Sequence, residues 1–229
     1  MTKSAPVIAV DGPAAAGKGT LAKRLAEELG LPHLDTGLLY RAVARLMLNA
    51  GLDPAASSGE KVARGLSPAD LQRTDLRTPD VDAAASLVAR DQAVRQALVD
   101  MQRRFARESG AVLDGRDIGT VIFPDADVKL FITATPYTRA FRRYMQNGGT
   151  DSASDREERI RAVEQALIAR DHADSTRASA PLRMADDAVR IDTDELSADE
   201  VLTETLRVVR NVLARKAGQS AAVVQSVCS

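Results

Sequence analysis

The chain has 229 residues, 45% of them apolar and 28% charged, with 31 basic against 32 acidic side chains and one cysteine, Cys228. That length suits one domain with small appendages, and the balanced charge argues against nucleic-acid binding. A lone cysteine excludes a disulfide framework and suits a reducing cytoplasm, no apolar run approaches a membrane span, and Met1 to Pro6 is too short and polar for an export signal.

In chain order, Val7 to Val10 is a short apolar run ending at Asp11, followed by Gly12-Pro13-Ala14-Ala15-Ala16-Gly17-Lys18-Gly19-Thr20. The pattern predicts a strand, a tight loop and a helix start. Apolar residues at 21, 22, 25, 26 and 29 carry the helix to Gly30. His33 to Asp35 is a second strand, and Thr36-Gly37 opens a helix running to Leu48. Residues 52–80 mix Pro, Ser and Gly with charges and carry no clear period. Helices are expected over 81–90 and 92–108, with Asp80 or Asp91 as caps. Strands follow at Ala111 to Asp114 and Val128 to Thr133, then a basic helix at Thr138 to Gln146. Asn147 to Ser154 is a polar, Gly-containing loop with the marks of mobility, and a helix over 157–171 follows it. Ala188 to Ile191 is the last strand. Ser197-Ala198-Asp199-Glu200 reads as a capping box for the final helix, with an unpatterned flexible tail expected over 216–229. Five apolar strands alternating with helices predict an α/β domain over 1–215, a parallel sheet covered on both faces.

Gly12-x-x-x-x-Gly17-Lys18 is a Walker A pattern placed between an apolar strand and an amphipathic helix. Its glycines let main-chain N–H groups curl around phosphate while the next helix aims its N-terminus at the same anion. Lys18 reaches the β- and γ-phosphates. Gly19 stands where a Mg²⁺-ligating hydroxyl is usual, and Thr20 comes after it. No Asn/Thr-Lys-x-Asp stretch is present to read guanine. Only His33 and His172 could serve as imidazole bases, and each also reads as an ordinary strand-start or helix-end residue. The basic side chains are skewed to arginine, 25 against 6 lysines, and arginine suits bidentate phosphate binding. Phosphoryl transfer to an acceptor that is already an anion needs cations and no general base.

Three further segments resemble signatures of bacterial cytidylate kinases, short form, within the P-loop nucleoside monophosphate kinases. They are Leu34-Asp35-Thr36-Gly37-Leu38-Leu39-Tyr40-Arg41, Asp114-Gly115-Arg116-Asp117-Ile118-Gly119-Thr120-Val121-Ile122-Phe123-Pro124, and Arg170-Asp171-x-x-Asp174-Ser175-x-Arg177-Ala178-x-Ala180-Pro181-Leu182. With the P-loop they span residues 7 to about 205. The resemblance implies a P-loop fold with a monophosphate-binding region at 36–108 and a lid at 140–175. It implies transfer of a phosphoryl group from ATP to CMP or dCMP, with Mg²⁺ held mainly by phosphates and water. The implied ATP site is Gly12 to Thr20 with Arg139. Lys18, Arg116, Arg142 and Arg143 are the implied catalytic cations. On the acceptor side, Thr36, Arg41, Arg116 and Arg177 match positions holding the α-phosphate. Ser86, Arg95 and Asp117 match positions around the base, and Arg170 and Asp174 positions near the sugar, with Asp114 at the adjoining strand end. Many relatives carry a small extra sheet where this chain has the short stretch 52–80. The implied partners are small nucleotides, with no nucleic acid or membrane, and a monomer is expected.

Plainer roles stand beside these. Asp35 can be a helix cap, Arg142 and Arg143 a solvated helix face, and Arg116 with Asp117 a local ion pair. Two rival functions also stand. One is a kinase acting on another monophosphate or on a shikimate-like hydroxyl, for which Asp35 would be the base. The other is a nucleotide-binding regulatory ATPase without an acceptor.

Overall fold

The computed structural model describes residues 5–107, 109–150 and 152–227, so Cys228 lies outside the described residues. Five strands form one parallel sheet: β1 (Val7–Asp11), β2 (His33–Asp35), β3 (Ala111–Asp114), β4 (Val128–Thr133) and β5 (Val189–Asp192). Their spatial order is β2-β3-β1-β4-β5. The central strand β1 aligns Val7 to Val10 with Ala111 to Asp114 on one side and Ile8 to Asp11 with Val128 to Phe131 on the other. The chain builds the half beyond β3 first and then crosses to β4, so the carboxyl end of β1 lies where such sheets bind ligands.

Strand residues alternate between two cores, as a sheet covered on both faces requires. Ile8, Val10, Val128, Leu130 and Ile132 pack under α1 (Lys18–Leu29) and α8 (Ala198–Val227), through Leu21, Leu25, Val201, Leu202 and Val209. Ala9 and Leu113 face the other way, onto α5 (Gln92–Arg107) and a single π turn at Ile118–Ile122. A separate core joins α2 (Thr36–Asn49), the short α3 (Glu60–Arg64), α4 (Pro79–Val88) and α5 through Leu39, Val43, Met47, Val81, Val88, Val94 and Leu98. A fourth, smaller cluster of Ala14, Ala140, Tyr144, Ile160 and Leu167 seats the antiparallel pair α6 (Pro136–Gln146) and α7 (Ala153–Thr176) beside the loop after β1.

The parallel sheet and its two helical layers match the sequence-based expectation, with three differences. Residues 52–80 contain α3 and a 3₁₀ turn at Pro68–Gln72 and, among the described residues, no strand. No extra sheet forms in this stretch, which lacks the β-branched and aromatic runs a sheet needs. Helix α7 starts earlier and ends later than 157–171, which shortens the connecting loop to residues 147–152. The final helix does not stop near 215 but continues to Val227; past Lys216 there is one glycine, Gly218, and no proline to break it.

Capping follows the sequence closely. Asp91 accepts from Ala93 N and Val94 N at the start of α5. Asp35 accepts from Leu38 N. Ser197 and Glu200 exchange the reciprocal bonds of a capping box. For α4, Thr78 occupies the cap position with Pro79 at the first turn, and Asp80 sits inside that turn.

Candidate active site

The loop after β1 is built by geometry that only some residues tolerate. Gly12 has φ 145°, and a Cβ there would lie 2.0 Å from the Ile132 carbonyl oxygen of β4. Gly17 has φ 86° and caps α1 in the left-handed conformation, and Ala15 is also left-handed at φ 59°. This curls residues 12–17 around the N-terminus of α1, where Lys18, Gly19 and Thr20 form the first turn. Lys18 is buried and its ammonium donates to the Pro13 carbonyl oxygen at 2.6 Å. Burial, followed by repulsion from Arg116, lowers its pKa well below the usual lysine value, against the pull of Asp114, Asp11 and Asp35. A polyanion is the ligand that such a cation-rich, helix-start concavity favours.

Asp11 ties this loop to the second signature segment. Its buried carboxylate accepts from Ile118 N at 2.8 Å and Gly119 N at 2.7 Å. Desolvation nevertheless raises its pKa to about 6, outweighing those two bonds. The π turn held in this way carries Arg116 and Asp117 at its entrance. A π turn is wider than an α-helical one and is frequent at functional sites.

At the end of β3, Asp114 has two roles. Its carbonyl oxygen accepts from Thr36 Oγ1 at 2.8 Å, and its Oδ1 pairs with His33 Nε2 at 2.7 Å. Its Oδ2 faces α1, 3.7 Å from where a Cβ on Gly19 would stand. The carboxylate thus points at the phosphate-loop helix, not at the acceptor loop. Among the described residues no group of three or more His, Cys, Asp or Glu side chains could hold a metal ion. One carboxylate beside a glycine fits an ion that takes most of its oxygen ligands from phosphates and water, as Mg²⁺ does in kinase sites.

Four arginines, from α2, the loop after β3, α7 and the end of α7, gather around Asp82, Asp117 and Asp174. Arg41 on α2 donates from Nε to Asp82 Oδ1 at 2.8 Å. Arg116 donates from Nε to Asp174 Oδ2 at 3.1 Å. Arg170 on α7 sits among Arg116, Asp82, Asp174 and Arg41, with a buried Nε that makes no hydrogen bond. Burial, then the neighbouring cation Arg116, lowers its pKa. Arg177 donates to the Ala180 carbonyl at 2.6 Å and to Asp117 Oδ1 at 3.4 Å. The loop carrying it is closed by Leu182 N donating to the Asp174 carbonyl.

Deeper in the same cleft, Arg95 pairs with Asp117 Oδ2, donates to the Tyr40 hydroxyl at 3.2 Å and lies over the Tyr40 ring. Burial pushes the Tyr40 phenol up to about 12, so it stays a neutral partner. Ser86 on α4 donates back to the Asp82 carbonyl. Arg41 and Ser86 thus meet at Asp82, Arg95 and Arg177 at Asp117, and Arg116 pairs with Asp174 beside Arg170, whereas Thr36 and Asp114 pair with each other at the end of β3.

The three arginines of α6 divide three ways. Arg139 is buried at the phosphate loop, donating to the carbonyls of Ala14 and Ala134 and pairing with Asp171 at 2.6 Å. Its guanidinium props the loop from behind. Arg142 donates to the hydroxyl and carbonyl of Thr193 after β5, so the structure does not bring it to the phosphate loop. Arg143 donates to Asp82 Oδ2 at 2.6 Å and does reach the acceptor side. Asp35, besides its capping bond, pairs with Arg77 at 2.9 Å, which leaves it as a cap and not a free base. Asp11, Asp82 and Asp171 are polar residues to which sequence reasoning assigned no role. Asp11 carried a signal, a carboxylate ending a buried strand just before the glycine loop, and Asp171 stood within the third signature segment; Asp82 carried none.

A family model described as cytidylate kinase matches residues 8–211. The chain belongs to the cytidylate kinase family. It is 57% identical over 212 residues to the cytidylate kinase of Acidiphilium cryptum (strain JF-5), covering 91% of this chain and 97% of that one. To the cytidylate kinase of Granulibacter bethesdensis (strain ATCC BAA-1260 / CGDNIH1) it is 56% identical over 205 residues, covering 89% and 96%. Among solved structures, a gluconokinase from Sinorhizobium meliloti 1021 superposes with a TM-score of 0.53 at 14% identity, over 95% of this chain and 99% of that one. That likeness bears on the fold, which is the P-loop kinase fold. No helix among the described residues is long and apolar enough to cross a membrane.

Proposed function

We propose that the chain transfers the γ-phosphoryl group of ATP to the phosphate of CMP or dCMP, giving ADP and the diphosphate. The observation that carries this is the phosphate loop with Lys18 beside Arg116, which itself belongs to a cluster of arginines around Asp82 and Asp174. The acceptor is an anion and needs no deprotonation, so the site's task is to bring two anions together and stabilise charge at the transferring group. Lys18 and the N-terminus of α1 hold the donor phosphates. Arg41, Arg116 and Arg177, with Thr36, hold the acceptor phosphate, and Arg170 with Asp174 faces the sugar. Asp114, whose Oδ2 faces α1, would be the protein carboxylate nearest a bound Mg²⁺ held mainly by phosphates and water, and the ion would supply charge neutralisation of the donor phosphates. Closure of the lid over the cleft excludes water, which would otherwise accept the phosphoryl group.

Base choice rests on Asp117 and Arg95. Cytosine offers an amino donor at C4 and an acceptor at N3, which suits a carboxylate beside a guanidinium; uracil presents an oxygen where the carboxylate needs a donor. A carboxylate has about four lone-pair directions, so about two remain for the base after Arg95 and Arg177 are served. Coupled ADP release measured with CMP, dCMP, UMP, AMP, GMP and shikimate tests the whole reading. A preference for CMP over UMP of about tenfold or more in kcat/KM is expected, from a contact worth ~1–3 kcal/mol. Asp117→Asn should shrink it, because an amide can rotate to donate. An unchanged CMP/UMP ratio in Asp117→Asn reassigns Asp117 to holding Arg95 and Arg177. Turnover without an acceptor, or preferred turnover of shikimate, removes the cytidylate reading.

A further inference from the structure

Asp82 lies in the first turn of α4, and its carboxylate joins elements far apart in sequence. Oδ1 accepts from Arg41 Nε at 2.8 Å, and Oδ2 accepts from Arg143 Nη2 at 2.6 Å. Arg41 belongs to α2 and the acceptor side, whereas Arg143 belongs to α6, the helix that enters the lid. The carboxyl is largely buried, at 16% exposure, while Arg143 is still 34% exposed. Burial alone would raise the pKa of Asp82, but Arg41, Arg170 and Arg143 together outweigh it and hold the carboxyl below its usual value. It is thus an anion at working pH, with three guanidiniums around a single negative charge.

We propose that Asp82 is a positioning residue for phosphoryl transfer: its carboxylate holds Arg143 of the lid-entry helix beside Arg41, so that both cations face the same phosphate. This rests on the reading of Arg41 as an acceptor-phosphate ligand. Without the carboxylate, two like charges repel and the more exposed one, Arg143, turns out to solvent. The effect on binding has the opposite sense. A carboxylate on Arg41 competes with the incoming phosphate, so its loss leaves acceptor binding unchanged or tighter. Loss of Asp82 therefore falls on the chemical step and not on ground-state affinity.

Steady-state kinetics on Asp82→Asn, Asp82→Glu, Arg143→Gln, the double variant Asp82→Asn/Arg143→Gln and Arg41→Gln provide the test, with melting curves to confirm folding. Asp82→Asn and Arg143→Gln should each lower kcat about tenfold, the effect of one charge-assisted hydrogen bond. In Asp82→Asn the KM for CMP should stay level or fall, and sulfate should compete with CMP more strongly. The double variant should lose no more than either single one, because both remove the same device. Asp82→Glu should recover most of kcat. A wild-type kcat in Asp82→Asn, a loss expressed only as a raised KM, or losses that multiply in the double variant would each overturn the proposal. If Asp82→Asn does not fold, Arg143→Gln decides: about tenfold loss of kcat supports the proposal and a wild-type kcat overturns it. Arg41→Gln separates the two readings. An unchanged KM for CMP there removes the acceptor-phosphate assignment itself, whereas a raised KM beside an unaffected Asp82→Asn removes only the role of Asp82.

Discussion

Lys18 and Asp11 show how a buried charge can be costly to the fold and still be kept. Lys18 is desolvated and repelled by Arg116, so it destabilises the folded chain on its own account. Replacing it by Met should leave the melting temperature level or raised, since removing an imperfectly compensated buried charge is often neutral or stabilising. Turnover should fall by about 100-fold or more, as for loss of one transition-state donor. Circular dichroism melting and the coupled assay measure the two effects, and near-normal turnover removes Lys18 from the chemistry. Asp11 makes a pH prediction. Its folded pKa of about 6 lies above its ordinary value of 3.8, so the folded chain binds this proton more tightly than the unfolded one. The stability this group contributes is present in full below pH 3.8 and is lost as pH rises through 6. Asp11→Asn cannot titrate, so the stability gap between wild type and variant should narrow by about 2–3 kcal/mol from pH 4 to pH 7. Denaturant melts at the two pH values check this, and a gap that widens reverses the assignment of the shift to desolvation.

Elements carry the site because their ends converge. The phosphate loop was legible in sequence because every constraint on it is local: Gly12 and Gly17 supply left-handed backbone, and Lys18 opens α1 with no intervening residue. The tertiary contribution is that Gly12 also has no room. Gly12→Ala would place a Cβ 2.0 Å from a β4 carbonyl oxygen, an atom of the sheet that cannot swing aside. The loop must shift by more than an ångström to accept it. ATP affinity, measured by calorimetry, should drop at least about tenfold, the scale of one or two lost phosphate contacts. Wild-type affinity would show that the loop has slack. By contrast, Arg139, Arg142 and Arg143 lie within five residues on one basic helix and read alike in sequence. Helix α6 sends them to Ala14, Thr193 and Asp82, three different parts of the molecule. Positions 139, 142 and 143 share a helix face by period, but which neighbour meets each depends on how α6 packs against the sheet.

At the scale of the whole molecule, the helices α2 to α5 and the pair α6 and α7 flank one sheet and meet through Arg143 and Asp82. The loop 147–152 between α6 and α7 has few apolar anchors, so it should open locally at small cost. Its amide hydrogen exchange should slow at least about tenfold when a bisubstrate nucleotide analogue is added; equal rates with and without the analogue contradict lid closure. The sequence by itself determined the sheet, because period-2 burial, apolar strand runs and caps such as Asp91 and Ser197 act over a few residues. It determined the phosphate loop for the same reason. The resemblance in its signature segments pointed to the acceptor residues. Tertiary structure alone decided that Asp117 is shared by Arg95 and Arg177, that Asp114 turns to α1 and His33, and that Asp82 joins Arg41 to Arg143. These are pairings between polar side chains 22 to 81 residues apart. With 31 cations and 32 anions of near-equal chemistry along the chain, no local rule selects partners; packing does, by choosing which few are taken out of water together.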